Sequence, residues 1–240
     1  MTRRIAMWSG PRNISTAMMR SFENRADCEV VDEPFYAFYL SQTNSPHPMF
    51  EEVIKSQPTK FNEVVTMLTS QRLESEICYQ KHMTHHMLPS CDLTWCKELS
   101  HAFLIRDPAY VVNSYTNKRG ECTAEDIGIK RQYEIFKYIS ELTGKIPPVI
   151  DSGDVLNQPF QTLYMLCDLL NIPFSQNMLS WPEGRRASDG IWANHWYKSV
   201  EASTGFTKQT TSRINLSSEA KQVVDEVMPY YEEMSAFALK

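Results

Sequence analysis

Short apolar runs alternate along this chain with longer segments whose apolar residues recur at helical spacing. Ile5–Trp8 (IAMW) is such a run; it ends at Ser9, Gly10 and Pro11, after which Met18, Met19 and Phe22 share one helical face. That order predicts a buried strand, a small-residue turn and a helix. Further strands are predicted at Cys28–Val31, Ile77–Gln80, Ala102–Ile105 and Pro148–Asp151. Helices are predicted over about 49–56, 60–74, 124–142, 159–170 and 217–235. Another starts at Pro108, where a missing N–H costs nothing. Phe35–Leu40 is aromatic-rich, Ser45–Pro48 is a turn, and residues 182–213 are polar without clear periodicity. No repeat or linker-like break interrupts this order. The expectation is one α/β domain over 1–240, with a central parallel sheet and helices on both faces.

Composition narrows the function classes. The 240 residues carry a net charge of -5, which argues against a general nucleic-acid binder or an anionic-membrane binder, since both need a basic surface. The apolar run after MTRR is too short for a signal-peptide core, and no stretch approaches a membrane span. Cysteines 28, 78, 91, 96, 122 and 167 form no tight framework, so they are expected to be reduced and the protein cytoplasmic.

The chemistry concentrates at three places. The first is the turn after the first strand, where Gly10, Arg12, Asn13, Ile14, Ser15 and Thr16 lead into a helix. Free N–H groups and the helix dipole favour an anion there. The turn lacks the Gly-Lys-Ser/Thr of a nucleotide-triphosphate loop, and Arg12 stands where a cation is needed. The second is Arg106, at the carboxyl end of a strand, with Ser114 about two helical turns later. A guanidinium and a hydroxyl there could hold a second phosphate. The third is the loop Gly184–Asn194, which carries Arg185, Arg186 and Gly190.

Together the three resemble the sulfotransferase family, which uses 3′-phosphoadenosine-5′-phosphosulfate (PAPS) as donor. SGPRNIST resembles its 5′-phosphosulfate loop, RDPAYVVNSY its 3′-phosphate motif, and GRRASDGIWANHW its late Arg-Lys-Gly segment; Asp154-Val155-Leu156 with Pro159 is similar to its E-D-L…P run. The resemblance implies a P-loop NTP-hydrolase-like sulfotransferase fold and a PAPS co-substrate leaving as adenosine 3′,5′-bisphosphate. It also implies a small-molecule or carbohydrate acceptor and no metal. Arg12 replaces the family's Lys and should keep anion binding. Ile14 replaces a Gly, and a β-branched residue is expected to avoid the positive φ open to glycine.

Sulfuryl transfer, like phosphoryl transfer, needs in-line attack, cations around the oxygens and a base for the acceptor. Glu33, ending the second strand beside Pro34, is the first candidate base, and this pair resembles bacterial carbohydrate-type members. Lys81-His82 is similar to the K-T-H-L-P segment of cytosolic members, so Lys81 is a candidate to stabilise the sulfuryl group and His82 a second candidate base. His82, His85 and His86 also raise a metal site, which would need three or four converging ligands. Phe35, Tyr36, Phe38 and Tyr39 either line an acceptor pocket for a ring or sugar, or belong to the core. Two other functions stay open: a non-catalytic adenosine-bisphosphate binder on the same fold, and a P-loop small-molecule kinase.

Overall fold

A computed structural model describes residues 2–208 and 214–240. The end of the polar stretch 182–213 therefore falls outside the described residues. Strand β1 (Arg3–Ser9) is followed by α1 (Ser15–Glu23), β2 (Cys28–Asp32), and the helices α2 (Tyr36–Thr43), α3 (Phe50–Ser56) and α4 (Phe61–Ser70). Then come β3 (Ile77–Met83), β4 (Ser100–Ile105), α5 (Pro108–Arg119), α6 (Ala124–Ile127), α7 (Ile129–Thr143) and β5 (Val149–Asp151). The chain finishes with α8 (Ser152–Asn157), α9 (Pro159–Leu169), the short turns α10 (Ala193–Trp196) and α11 (Lys198–Glu201), and α12 (Ser218–Ser235). The five strands form one sheet in the order β2-β3-β1-β4-β5, and every pairing is parallel.

Period-two alternation divides the strand residues between the two faces of this sheet. Ile5, Met7, Tyr79, Leu104 and Ile150 pack with α1, α2, α8 and α9 on one side. Ala6, Trp8, Phe103 and Val149 pack with α4 and α7 on the other. This is the expected three-layer arrangement. In a parallel sheet every strand points the same way, so the loops after β1, β2, β3 and β4 gather along one edge.

Four local expectations change. The segment after Pro34 is helical as α2: Tyr36, Ala37, Phe38 and Leu40 are all buried, so no polar face marked it in the sequence. The helix expected over 124–142 is two, because Gly128 takes φ 68 and its carbonyl accepts from Thr84 Oγ1 at 3.3 Å. The helix expected to reach 74 stops at Ser70, and the polar 182–208 stretch contains the short turns α10 and α11. As expected, Pro108 opens α5, and the Asp107 carboxylate accepts from Ala109 N at 2.8 Å as its cap.

The Gly184–Asn194 loop is strapped to α1. Arg20 and Asp189, whose side chains are almost wholly buried, pair at 2.6 Å, and Ser188 hydrogen-bonds Glu23. Removing one member of a buried ion pair weakens the hold on the other, although Arg20 keeps Glu23 Oε2 at 3.3 Å. Asp189→Asn is therefore expected to lower stability by about 1–3 kcal/mol in urea denaturation. A loss under about 1 kcal/mol would mean the strap carries no such pair.

Candidate active site

A cavity of about 460 Å³ opens at the carboxyl edge of the sheet. One end is built by the turn after β1. Pro11–Ala17 line it, with Arg106 from the end of β4 and Ser114 from α5. Arg12 Nε donates to Ser114 Oγ at 3.0 Å, and Arg106 Nη1 donates to the Arg12 carbonyl at 2.7 Å. Asn13 is buried, and its Nδ2 donates to the Leu104 carbonyl at 2.5 Å. Burial, and then the neighbouring cation Arg119, lower the proton affinity of Arg12; burial, and then Arg12, do the same to Arg106. Arg106 Nε is buried with no hydrogen-bond partner among the described residues. Two half-buried guanidiniums lining one end of the cavity, one with an unmatched donor, suit anionic groups there.

Ile14 adopts the conformation its side chain was expected to avoid, with φ 46 and ψ 15, and Arg12 sits at φ 57. The turn is over-determined: the Arg12 carbonyl is tied to Arg106, Asn13 to Leu104, and the Ile14 carbonyl accepts from Met18 N at 3.0 Å. The Ile14 side chain also packs against the core beneath α1. Such strain costs on the order of 1–3 kcal/mol per residue and survives only where surroundings enforce it. Glycine's freedom is thus not required for this loop.

The other end of the cavity is electrostatically different. The parallel register places Asp32 of β2 beside Lys81 of β3. Lys81 Nζ is buried and contacts Asp32 Oδ1 at 2.9 Å, Glu33 Oε1 at 2.5 Å and the Tyr197 hydroxyl at 2.7 Å. Burial opposes the Lys81 charge, but the two carboxylates outweigh it and raise its proton affinity. Glu33 is raised as well, first by burial, with Lys81 opposing and Asp32 adding repulsion. Glu33 itself stands at φ 41, its N–H bonded to the Lys81 carbonyl at 3.0 Å.

The predicted residues therefore part into two groups. Arg12, Asn13, Ile14, Ser15, Thr16, Arg106, Ser114, Glu33 and Lys81 all line one cavity. His82, Arg185, Arg186 and Gly190 do not. Lys81 and His82 are consecutive on a strand and so face opposite sides of the sheet. His82 is 1 % exposed, stacks on Trp8 at 4.5 Å and meets Gln80 Oε1 at 3.1 Å. Arg185 is engaged by Asn194 and Glu201, and Arg186 by Pro182, Arg185 and Gly184 carbonyls. Gly190 instead donates its N–H to Asp32 Oδ2 at 3.1 Å, and a Cβ there would lie 2.1 Å from Trp192. Gly10 lies behind the turn, where a Cβ would meet the Ile127 carbonyl at 2.9 Å. Among the described residues no three His, Cys, Asp or Glu side chains are placed to hold a metal ion. Of the aromatic residues, Tyr36 and Tyr39 line the cavity, whereas Phe35 and Phe38 belong to the core.

Sequence reasoning missed several members of the site. Asp32 and Tyr197 complete the Lys81 cluster, and Lys118 and Arg119 bring further cations to the cavity wall. Lys118 follows Ser114 by four residues, a spacing that places both on one helical face and was legible in the sequence.

A family description, sulfotransferase domain, matches residues 3–238. The chain belongs to the sulfotransferase family. It is 36% identical over 203 residues, 85% of its length, to the branched-chain-amino-acid aminotransferase-like protein 1 of Arabidopsis thaliana. It spans only 36% of that relative's length. Among solved structures it resembles the sulfotransferase domain from the curacin biosynthetic pathway, at 18% identity and TM-score 0.57 over 95% of this chain and 98% of that one. It also resembles a sulfotransferase from Alicyclobacillus acidocaldarius, at 9% identity and TM-score 0.55 over 98% and 95% of the two chains. At such identities the likeness is one of fold. Among the described residues of this sulfotransferase-family chain, no helix is long and apolar enough to cross a membrane.

The histidines at and behind the site make a prediction about pH. Burial pushes His82 down to about 3, His101 to about 4 and His86 well below the usual imidazole range. Unfolded, each would bind a proton below about pH 6.5. The unfolded state then holds more protons than the folded one between about pH 6.5 and 4, so stability falls as pH drops through that window. Each histidine contributes a slope of roughly 1.4 kcal/mol per pH unit. Urea titrations from pH 7.5 to 4.5 should show this decline, with a shallower slope for His82→Asn; a flat profile would contradict neutral burial.

Proposed function

We propose that this protein transfers a sulfuryl group from PAPS to a hydroxyl or amine of a small-molecule or carbohydrate acceptor, in the cytoplasm. The observation that carries this reading is the single cavity that joins a cationic, N–H-rich turn at one end to a carboxylate–ammonium cluster at the other. Phosphate-bearing nucleotides fit the first end: Arg12, Ser15 and Thr16 with the backbone of α1 suit the 5′-phosphosulfate, and Arg106 with Ser114 suits the 3′-phosphate. The unmatched Arg106 Nε supports an anionic partner there.

The acceptor reaches sulfur from the other end. Glu33 Oε1 is held by Lys81, with the Tyr197 hydroxyl at 3.5 Å, while Oε2 accepts no hydrogen bond from the described residues. Oε2 takes the acceptor proton as the acceptor oxygen or nitrogen bonds to sulfur. The bond from sulfur to the bridging oxygen breaks, and its electron pair leaves with the bisphosphate, whose charge Arg12 offsets. Lys81 spends its three donors on Asp32, Glu33 and Tyr197, so it acts on the reaction through Glu33 and has no free donor for the sulfuryl oxygens. His82, buried behind the sheet, has no path to the acceptor, so Glu33 is the preferred base. Tyr36 and Tyr39 stack on His86 at 4.7 and 5.0 Å and give the acceptor end flat, partly polar walls suited to a ring or a sugar.

The rival reading, a non-catalytic bisphosphate binder, rested on Ile14. With the turn intact around Ile14, the loop gives no reason to favour it. Thermal-shift measurements with adenosine 3′,5′-bisphosphate, PAPS and ATP–Mg²⁺ test the donor. Saturation at a hundred times Kd should add roughly 2.7 kcal/mol of stability. Arg106→Ala should weaken the bisphosphate by about 1.5–3 kcal/mol, the range for a hydrogen bond to a charged group. Glu33→Gln should slow donor desulfation with an acceptor panel by about 10²–10⁴-fold while leaving the bisphosphate shift in place. A shift with ATP–Mg²⁺ alone would point to a kinase. Bisphosphate binding with no turnover on any acceptor would point to the binder.

A further inference from the structure

Two consecutive carboxylates share one buried ammonium, and their surroundings are unequal. Asp32 receives Lys81 Nζ at 2.9 Å, the Tyr197 hydroxyl at 2.7 Å and the Gly190 N–H at 3.1 Å. The Tyr197 hydroxyl is itself fully used, accepting from Lys81 and from Trp192 Nε1 at 3.1 Å while its proton goes to the carboxylates. Glu33 has Lys81 at one oxygen only. Apart from the Tyr197 hydroxyl, 3.5 Å from Oε1, the groups facing it are His86, whose Nε2 lies 4.0 Å from Oε2, and Tyr36. Both are neutral there: burial holds His86 well below its ordinary range and raises the Tyr36 phenol. Lys81 is thus the one fixed cation in contact with either carboxylate among the described residues.

We propose that Asp32, held by Tyr197 and the Gly190 N–H, is a positioning residue that divides the Lys81 charge and so leaves Glu33 able to accept a proton from the acceptor. This deepens the proposed function and rests on Glu33 being the base. A Lys81–Glu33 pair without Asp32 would be a saturated ion pair, in which Glu33 keeps its charge to low pH and takes a proton poorly. With Asp32 present, three donors stabilise the Asp32 charge, and that charge both draws on Lys81 and repels a second one on Glu33. Unequal partners around two neighbouring carboxylates are how one of them comes to exchange a proton. The Gly184–Asn194 loop acquires a role here. In place of gripping a phosphate, it supplies the Gly190 N–H and leads to Trp192 and Tyr197, which fix Asp32.

The test reads the titration of Glu33 directly. With Cδ-labelled glutamate, NMR follows each carboxyl, and the Glu33 signal is assigned by its absence in Glu33→Gln. In Asp32→Asn the Glu33 midpoint should move to lower pH by about one pH unit, as expected when a like charge within a few ångströms is removed. In Tyr197→Phe, Asp32 loses a donor and leans harder on Lys81, so the midpoint should move to higher pH. The acid limb of kcat/KM should follow both directions, with turnover in Asp32→Asn reduced about tenfold. A merely structural role predicts no such opposed movement. An unchanged Glu33 midpoint in Tyr197→Phe, or an upward one in Asp32→Asn, overturns the proposal, and the Tyr197 variant decides it if Asp32→Asn does not fold. Midpoints that move while the kcat/KM limb stays fixed overturn Glu33 as the base, and the proposal with it. The donor reading is scored separately by the bisphosphate thermal shift of the same variants, which neither change should abolish.

Discussion

A buried ammonium sets the terms for the functional edge of this molecule. Lys81 is 1 % exposed on a central strand, and an unpaired charge there would be excluded by its desolvation cost. It is tolerated because parallel pairing places Asp32 directly beside it and Glu33 one residue beyond. The pairing alone is insufficient, since two carboxylates around one cation leave a net negative charge in low dielectric. Tyr197 and the Gly190 N–H absorb that excess at Asp32. Those groups come from the other end of the sequence, held down by the Arg20–Asp189 pair to the helix that begins at the anion turn. The turn after β1, the Lys81 cluster and the strap are thereby parts of one connected polar structure.

Backbone strain follows the same geography. Arg12, Ile14 and Glu33 all take positive φ, two in the anion turn and one at the candidate base. Arg12 is tied by a hydrogen bond to Arg106 just past β4, Glu33 to Lys81 in β3, and Ile14 to Met18 in α1. The sharp turns aim the loop N–H groups and the Glu33 carboxyl into the cavity rather than along the sheet. Asn44, Met49 and Asn171 also take positive φ away from the cavity, but the three that face it are consistent with preorganisation, in which the scaffold holds a costly geometry so that a ligand need not impose it.

Much of this was readable from the residues. Five apolar runs fell where the five strands lie, and Asp107-Pro108 announced the start of α5 by its cap and first-turn proline. The β1 turn and Arg106 were both readable as strand-end anion sites, which a parallel sheet gathers at one edge, and the family resemblance joined them with Ser114. Other features were hidden for identifiable reasons. The α2 helix has no polar face to give it a period. Gly128 divides a continuous helical pattern because it takes φ 68, a left-handed conformation, with its carbonyl bonded to Thr84. The Arg185–Arg186 pair looked like an anion grip, yet neither lines the cavity; Arg185 bonds Asn194 and Arg186 bonds local carbonyls.

Local sequence determined which residues would be strands, where a small-residue turn would carry a cation, and, through family motifs, the family the chain belongs to. Those properties depend on neighbours a few positions apart, where spacing and side-chain type suffice. Which charges meet was decided only in three dimensions. The period of two sends His82 behind the sheet while Lys81 faces the cavity, and a contact across 116 residues gives Lys81 its tyrosine. The same long reach assigns unequal partners to Asp32 and Glu33, which are adjacent in sequence and chemically alike. Proton affinity is a property of the surrounding dielectric and charges, and these are supplied by segments that sequence distance does not connect.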